Sequence, residues 1–472
     1  MTTFVEAVKN QDARTENGMK ARKSTANACV DLFFKIGAMR GKDVTKEFVA
    51  AYVENKDLAL RIAQWARDVR GGSGERKLFR DILVLLEKTD IESAKALLSK
   101  VPEIGRWDDI FVFESKVMKT AAYTMLGDAL RAKNGLAAKW TPRKGAIALE
   151  VREFFGMSPK FYRKSLVEMT KVVESQMCAK EWDEINFSHV PSVAHARYKK
   201  AFGRNTEKYG EYVKALVKGD DPKVKVNAGA VYPYDVLKGV INHYHSVNYT
   251  KDQLDVVVKQ WEALPNYIGD ANVLALVDVS GSMTCTAGQS GSVSCLDVAV
   301  SLGLYVADKN KGKFKDTFLT FSGKPELLHL KGNVVQKAQQ MVKSSWDMNT
   351  DLVKAMDKIL ATAIAGKVDQ SEMPEMLLIM SDMQFDQCAK FDDSAMQMIR
   401  RKFTDAGYNV PQIVFWNLNA KDNVPVKYDT RGVAMVSGFS PAVMKSVLSA
   451  DMENFTPEGI MLKALMVPRY DM

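Results

Sequence analysis

The hydrophobic period of this chain changes near residue 270, and that change limits what it can fold into. Upstream, apolar residues recur at helical spacing. In Asp57 to Arg70 they fall at positions 58, 62, 65, 66 and 69, one stripe of an amphipathic helix. Gly71-Gly72-Ser73-Gly74 interrupts it, and Glu75 to Lys88 resumes with Leu78, Phe79, Ile82, Leu83 and Leu86. Thr89-x-x-Glu92 has the form of a capping box and predicts a third helix, ending before Pro102. Ser158-Pro159 predicts another helix start, because Ser suits the N-cap and Pro the first turn. Tyr162, Leu166, Met169, Val173 and Met177 then line one face. Successive helix pairs predict a helical solenoid over residues 1–268, with no clean repeat period.

Downstream, over residues 269–472, short apolar runs alternate with helices. The pattern predicts strands at 273–277, 316–321, 376–381 and 410–416, and helices at about 295–309, 333–345, 351–365 and 391–406. This is the signature of a doubly wound parallel sheet with crossover helices. Ser440-Pro441 predicts one further helix and Thr456 to Leu465 a last one. Met341, Met348, Met373, Met376, Met380 and Met383 read as core fillers.

The net charge of +9 is unevenly spread. Residues 1–270 hold 45 Lys and Arg against 35 Asp and Glu, whereas the remainder holds 21 against 22. The basic excess belongs to the helical half, where it suits an anionic partner such as nucleic acid, or simply a basic surface. No run of eighteen apolar residues occurs, so no membrane span is expected. The polar, acid-containing first twenty residues do not read as a secretory or transit peptide. The five cysteines are scattered and form no C-x-x-C pair, as expected for a reducing cytoplasm. Cys285 and Cys295 are near enough in sequence to meet in space, but read as free thiols.

The strand at 273–277 runs directly into Asp278-Val279-Ser280-Gly281-Ser282. Alternation aims one carboxylate and two hydroxyls at a single point above the strand end, and oxygen ligands without His or Cys suit a hard cation, Mg2+ or Mn2+. Asn349-Thr350-Asp351 and Ser381-Asp382 should reach the same carboxyl edge of the sheet. The bland reading of the loop is an Asx/Ser turn that satisfies only backbone groups. The spacing, with Thr350 and Asp382 in the expected order, resembles the metal-ion-dependent adhesion site of von Willebrand factor A domains. That resemblance implies Asp278, Ser280, Ser282, Thr350 and Asp382 as the metal set. The serines and the threonine would bind directly and the aspartates largely through water, leaving one position open to a carboxylate from a protein partner.

Several blocks of the helical half are distinctive: Asp68-Val69-Arg70-Gly71-Gly72-Ser73-Gly74-Glu75-Arg76, Gly105-Arg106-Trp107-Asp108-Asp109, Ala138 to Lys144, Met177 to Asp183, Val190 to Ala194 and Asn227 to Pro233. With the downstream A-type domain they resemble the TROVE module of Ro autoantigen proteins, and more closely their uncharacterised relatives of the same layout. The resemblance implies HEAT-like helical repeats that close into a ring, sealed by the A domain, with non-coding RNA as ligand. Read from the residues alone, Arg70 to Arg76 is more simply a helix connector, with Arg70 or Arg76 as an RNA contact the alternative. Arg106 similarly reads as paired to an acid in a packed junction.

Two basic stretches are the better candidates for RNA contact. The first holds Lys133, Lys139, Arg143, Lys144, Arg152, Lys160, Arg163, Lys164 and Lys171. The second holds Arg197, Lys199, Lys200, Arg204, Lys208, Lys214 and Lys218, interleaved with Tyr198, Phe202, Tyr209 and Tyr212. Basic groups neutralise phosphates and exposed aromatics stack on unpaired bases. The opposing reading is a solvated helix face with its aromatics turned inward. His195, His243 and His245 are open to either role. The expectation is an RNA-binding protein with a cation-dependent partner site, or alternatively a protein-interaction scaffold. An enzyme is not expected: two-metal phosphoryl chemistry needs clustered carboxylates, and no G-x-x-x-x-G-K-[ST] loop or catalytic triad spacing is present.

Overall fold

A computed structural model of the chain describes residues 12–170, 172–229, 231–238, 240–241, 250–287, 293–321, 324–343, 351–385, 395–421, 423–450 and 452–472. The first half is helical and the second is built on a six-stranded sheet.

The helices of the first half end where the sequence supplies caps. Asn27, Asn55, Asp90, Ser115, Asn134 and Ser158 each accept a backbone N–H in the first turn of the helix they open. Helices Ala28–Ile36, Thr45–Glu54, Lys56–Arg67, Arg76–Thr89 and Ile91–Ile104 pack each against the next. Two expectations fail locally. Thr89 closes one helix, its hydroxyl bonding Leu85 O, while Asp90 caps the next, which runs through Pro102 to Ile104. Pro is tolerated there because only one intrahelical bond is lost, in the last turn. The stripe from Tyr162 to Met177 divides between helices Pro159–Met169 and Val173–Ala179, with Thr170 ending the first.

The glycine turn is a connector. Gly72 N–H donates to Asp68 O and Ser73 N–H to Trp65 O, and a Cβ on Gly72 would lie 1.8 Å from Trp65 O. Gly74 has φ +72°, and a Cβ there would meet the Tyr232 hydroxyl at 1.9 Å.

The sheet has the order β5-β4-β3-β6-β7-β8, from Leu327–His329, Thr317–Phe321, Val273–Asp278, Met376–Ser381, Gln412–Asn417 and Val433–Ser437. All neighbours run parallel except the edge strand β5. β3 and β6 are buried along their whole length, as continuous apolar runs between two helix layers should be. β3 and β6 pair in register from Val273 opposite Met376 to Val277 opposite Met380, so Asp278 and Ser381 emerge side by side at the carboxyl edge. A small hairpin, β1 (Asp12–Arg14) with β2 (Lys20–Arg22), bridges from Arg22 to Val424.

The halves share one hydrophobic core. Helix Ala28–Ile36 lies on β8: Ser437 Oγ donates to Phe33 O at 2.9 Å and accepts Gly37 N–H at 3.0 Å. The helical path returns to the sheet domain elsewhere, where helix Pro233–Leu237 packs on helix Cys295–Lys309, and Trp261 Nε1 donates to Asp308 Oδ2 at 2.8 Å. The chain therefore leaves the sheet at β8 and closes back on it at a crossover helix. No described helix is long and apolar enough to cross a membrane.

Candidate functional site

The end of β3 places four of the five expected metal-set residues together. Asp278 Oδ1 accepts the Ser280 N–H at 2.9 Å, which bends the chain into a short 3-10 turn over Gly281–Thr284. That turn brings the Ser280 and Ser282 hydroxyls to 3.0 Å from each other. From β6, Ser381 Oγ donates to Asp278 Oδ2 at 2.5 Å, and Asp382 takes the Gln384 N–H at 3.2 Å and a hydrogen bond from Ser282. Asp278 and Asp382 are fully buried, whereas Ser282 is exposed. Thr350 lies outside the described residues. Its neighbour Asp351 caps helix Leu352–Gly366 through the Lys354 N–H.

The electrostatics of this corner favour a cation. Burial, and then the neighbouring Asp382, push the Asp278 carboxyl up to about 7. Burial also raises Asp382, against the opposing hydrogen bonds from Gln384 and Ser282. Among the described residues no ammonium or guanidinium hydrogen-bonds either carboxylate, so two acids and their attendant hydroxyls face one another without a counter-charge in contact. A hard divalent ion at this donor set would supply it. The site differs from a carboxylate-rich centre: no group of three His, Cys, Asp or Glu residues among the described residues is placed to hold a metal.

Two further features lie beside the site, the first of them not signalled by sequence. The β1–β2 hairpin lies against the β6 exit: Thr15 Oγ1 donates to Phe385 O at 2.6 Å, Asn17 Nδ2 to Gln384 O at 2.8 Å, and Glu16 pairs with Lys421 at 2.6 Å. Such contacts span hundreds of residues and leave no local pattern. The second is the approach of Cys285 Sγ to Cys295 Sγ at 3.6 Å, with Asn419 Nδ2 donating to Cys285 Sγ at 3.4 Å. The hydrogen bond with Cys295 pulls the Cys285 thiol down to about 7, and the same contact raises Cys295 far above the usual range.

The basic stretches divide. Arg143, Lys144, Arg163 and Lys164 are exposed on or beside helices Ala146–Phe154 and Pro159–Met169, as are Arg197, Lys200 and Arg204 on helix Ser192–Asn205. Among the described residues Lys144, Lys164 and Arg204 have no ionic partner. Lys139 is half-buried, 3.5 Å from Glu174, in a cleft of about 750 Å³ that also holds His189. Lys199 departs from the expected exposed cation. It is 5 % exposed, on the inner face of its helix one turn from His195, and burial followed by Lys200 lowers it to about 8. Of the two readings of the interleaved aromatics, the inward one holds. Phe202 and Tyr209 are buried in a satellite core with Phe187, while Tyr198 and Tyr212 pack partly buried against it. His195 belongs to that core, bonded through Nε2 to the Tyr209 hydroxyl at 3.0 Å. Helical spacing gave these positions both readings, and the apolar partners Val190, Val213 and Val256 draw them inward. Lys171, His243 and His245 lie outside the described residues.

Arg106 behaves as a junction residue: it pairs with Asp108 and lies 3.7 Å over the Trp140 ring, while Asp109 beneath it takes Arg67 and Arg80. Arg70 and Arg76 are exposed at the glycine turn.

Residues 272–463 match the family model described as Domain of unknown function (DUF7788), and residues 15–94 and 148–274 match Domain of unknown function (DUF2828). Uncharacterized protein L728 of Acanthamoeba polyphaga mimivirus is 30% identical over 516 residues, covering 96% of this chain and 86% of that protein. The chain belongs to the L728 family. This chain carries both matches in one polypeptide. Among solved structures, the chain resembles the crystal structure of Deinococcus radiodurans RO (RSR) protein, with a TM-score of 0.42 and 14% identity over 89% of this chain and 90% of that one.

Proposed function

We propose that this protein binds non-coding RNA, structured or single-stranded, through the basic face of its helical half, in RNA stabilisation, quality control or processing. The observation that carries the reading is the set of exposed cations on or beside the helices between residues 143 and 205, of which Lys144, Lys164 and Arg204 lack an ionic partner among the described residues. Long flexible cations without carboxylate partners are suited to phosphates, and their contribution to affinity is lost as salt rises. Arg143, Arg163, Arg197 and Lys200 are further exposed cations of these two stretches, Lys139 is half-buried beside Glu174, and Lys199 contributes to the core instead. We assign the protein a binding role without catalysis, and place it in the cytoplasm.

The Asp278 corner is the second half of the proposal. Asp278, Ser280, Ser282 and Asp382, with Thr350 as the remaining member, would hold Mg2+ or Mn2+. When bound, such an ion offers a Lewis-acidic position to a carboxylate of a protein partner. The chain's own residues prepare that position: Ser381 orients Asp278, and the 3-10 turn sets the two serine hydroxyls together. Purification at low salt followed by sequencing of the retained RNA tests the first half. Protein free of nucleic acid, and without affinity for added RNA, would leave only the interaction-scaffold reading.

A further inference from the structure

Cys285 and Cys295 come from the two ends of the loop that follows the Asp278 corner. Thr286 and Ser294 form an antiparallel bridge, and Cys295 N–H donates to Cys285 O at 3.0 Å, so the cysteine backbones are locked opposite one another. Their sulfurs lie 3.6 Å apart, and a disulfide needs about 2.05 Å, a closure that side-chain rotation and a small backbone shift supply. Cys285 is half-buried and reachable, while Cys295 is fully buried behind it. Asn419 Nδ2 donates to the Cys285 sulfur at 3.4 Å, the Cys285 S–H is directed at the Cys295 sulfur, and the Cys295 S–H is directed at Leu418 O, so the two sulfurs are already in contact.

We propose that Cys285 and Cys295 are a peroxide-oxidisable dithiol, and that closing it as a disulfide weakens the hold of the Asp278 corner on a divalent cation. The Cys285 thiolate attacks one oxygen of a hydroperoxide. An S–O bond forms, the O–O bond breaks, and the departing oxygen leaves as water after taking a proton. The Cys295 sulfur then attacks the resulting sulfenic sulfur. The S–S bond forms, the S–O bond breaks, and the hydroxide leaves with the Cys295 proton as a second water. Two thiols lose two electrons and hydrogen peroxide gains them. The coupling follows from the backbone: Cys285 N–H donates to Ser282 O at 3.2 Å, so moving Cys285 toward Cys295 displaces the turn that carries the Ser282 hydroxyl. This second clause rests on the cation reading of the corner; the dithiol itself does not.

The test uses the folded full chain, oxidised with one equivalent of hydrogen peroxide, quenched with iodoacetamide and digested with trypsin. Both cysteines fall in one tryptic peptide, residues 260–309. The expected product is that peptide unalkylated and lighter by two hydrogens. In Cys285→Ser the same peptide should carry one alkylated Cys295. Recovery of the wild-type peptide with both cysteines alkylated, or with Cys285 joined to another cysteine, would overturn the dithiol. Titration with Mn2+ alone, before and after oxidation, should show affinity weakened roughly tenfold, as when groups supporting a metal ligand are disturbed. Equal affinity in both forms would overturn the coupling. If Mn2+ binds neither form, the cation reading and the coupling that rests on it fall together, while the mass of the peptide still decides the dithiol.

Discussion

Ser381 Oγ donates a 2.5 Å hydrogen bond to Asp278 Oδ2 across the β3–β6 pair. That bond fixes the carboxylate that opens the loop and leaves its second oxygen to the Ser280 N–H. Asp278→Ala should therefore abolish Mn2+ binding measured by calorimetry and leave RNA affinity unchanged. Ser381→Ala should weaken Mn2+ binding roughly tenfold by freeing the carboxylate to rotate. Undiminished Mn2+ affinity in Asp278→Ala would remove the corner from consideration as a cation site.

Much of the sheet domain was legible because buried parallel strands are continuous apolar runs of limited length. β3, β4, β6 and β7 fall within about two residues of expectation, a normal uncertainty for element ends. β8 was missed. Val433-Ala434-Met435-Val436 is too short to distinguish from a buried turn of helix, and its pairing with β7 is not encoded locally. The antiparallel edge strand β5 was missed as well, since Leu327-Leu328 is too short an apolar run to register as a strand. In the Asp278 corner the meeting of Asp278, Ser280, Ser282 and Asp382 was legible from spacing. The bond from Ser381 arises from register between strands about a hundred residues apart, whereas the approach of Cys285 to Cys295 is local and was open from their spacing.

The chain's far end is latched to the helical half. Asp68, 1 % exposed, accepts hydrogen bonds from Arg469 through both carboxylate oxygens and from the Tyr470 hydroxyl at 3.1 Å. Burial opposes ionisation of Asp68, but these donors outweigh it and hold its carboxyl below the usual range. Asp68→Ala should cost about 3 kcal/mol in urea unfolding, the lower end for breaking a buried pair because Arg469 is partly exposed. An unchanged midpoint would show that the latch adds no stability.

His195 predicts a pH dependence of stability. Burial, and then Lys199, lower its folded pKa to about 4 from 6.5. The folded form keeps the ring neutral while the unfolded chain takes up a proton first. Stability is thus intact above pH 6.5, falls as pH drops toward 4, and is no longer affected by this group below that. The loss is on the order of 3 kcal/mol. Unfolding measured across this window should show the slope in the wild type and lose that part of it in His195→Phe. An identical pH profile for both would contradict the buried neutral histidine.

Exposed cations of the helical half, if they neutralise RNA phosphates, make binding salt-dependent. Binding of a labelled single-stranded RNA should weaken linearly in log affinity against log salt. Lys144→Glu, Lys164→Glu, Arg197→Glu and Arg204→Glu together should flatten the slope by about 3, at roughly 0.7 for each phosphate no longer neutralised. Wild-type and quadruple-variant slopes that coincide, with equal affinity at low salt, would contradict the account.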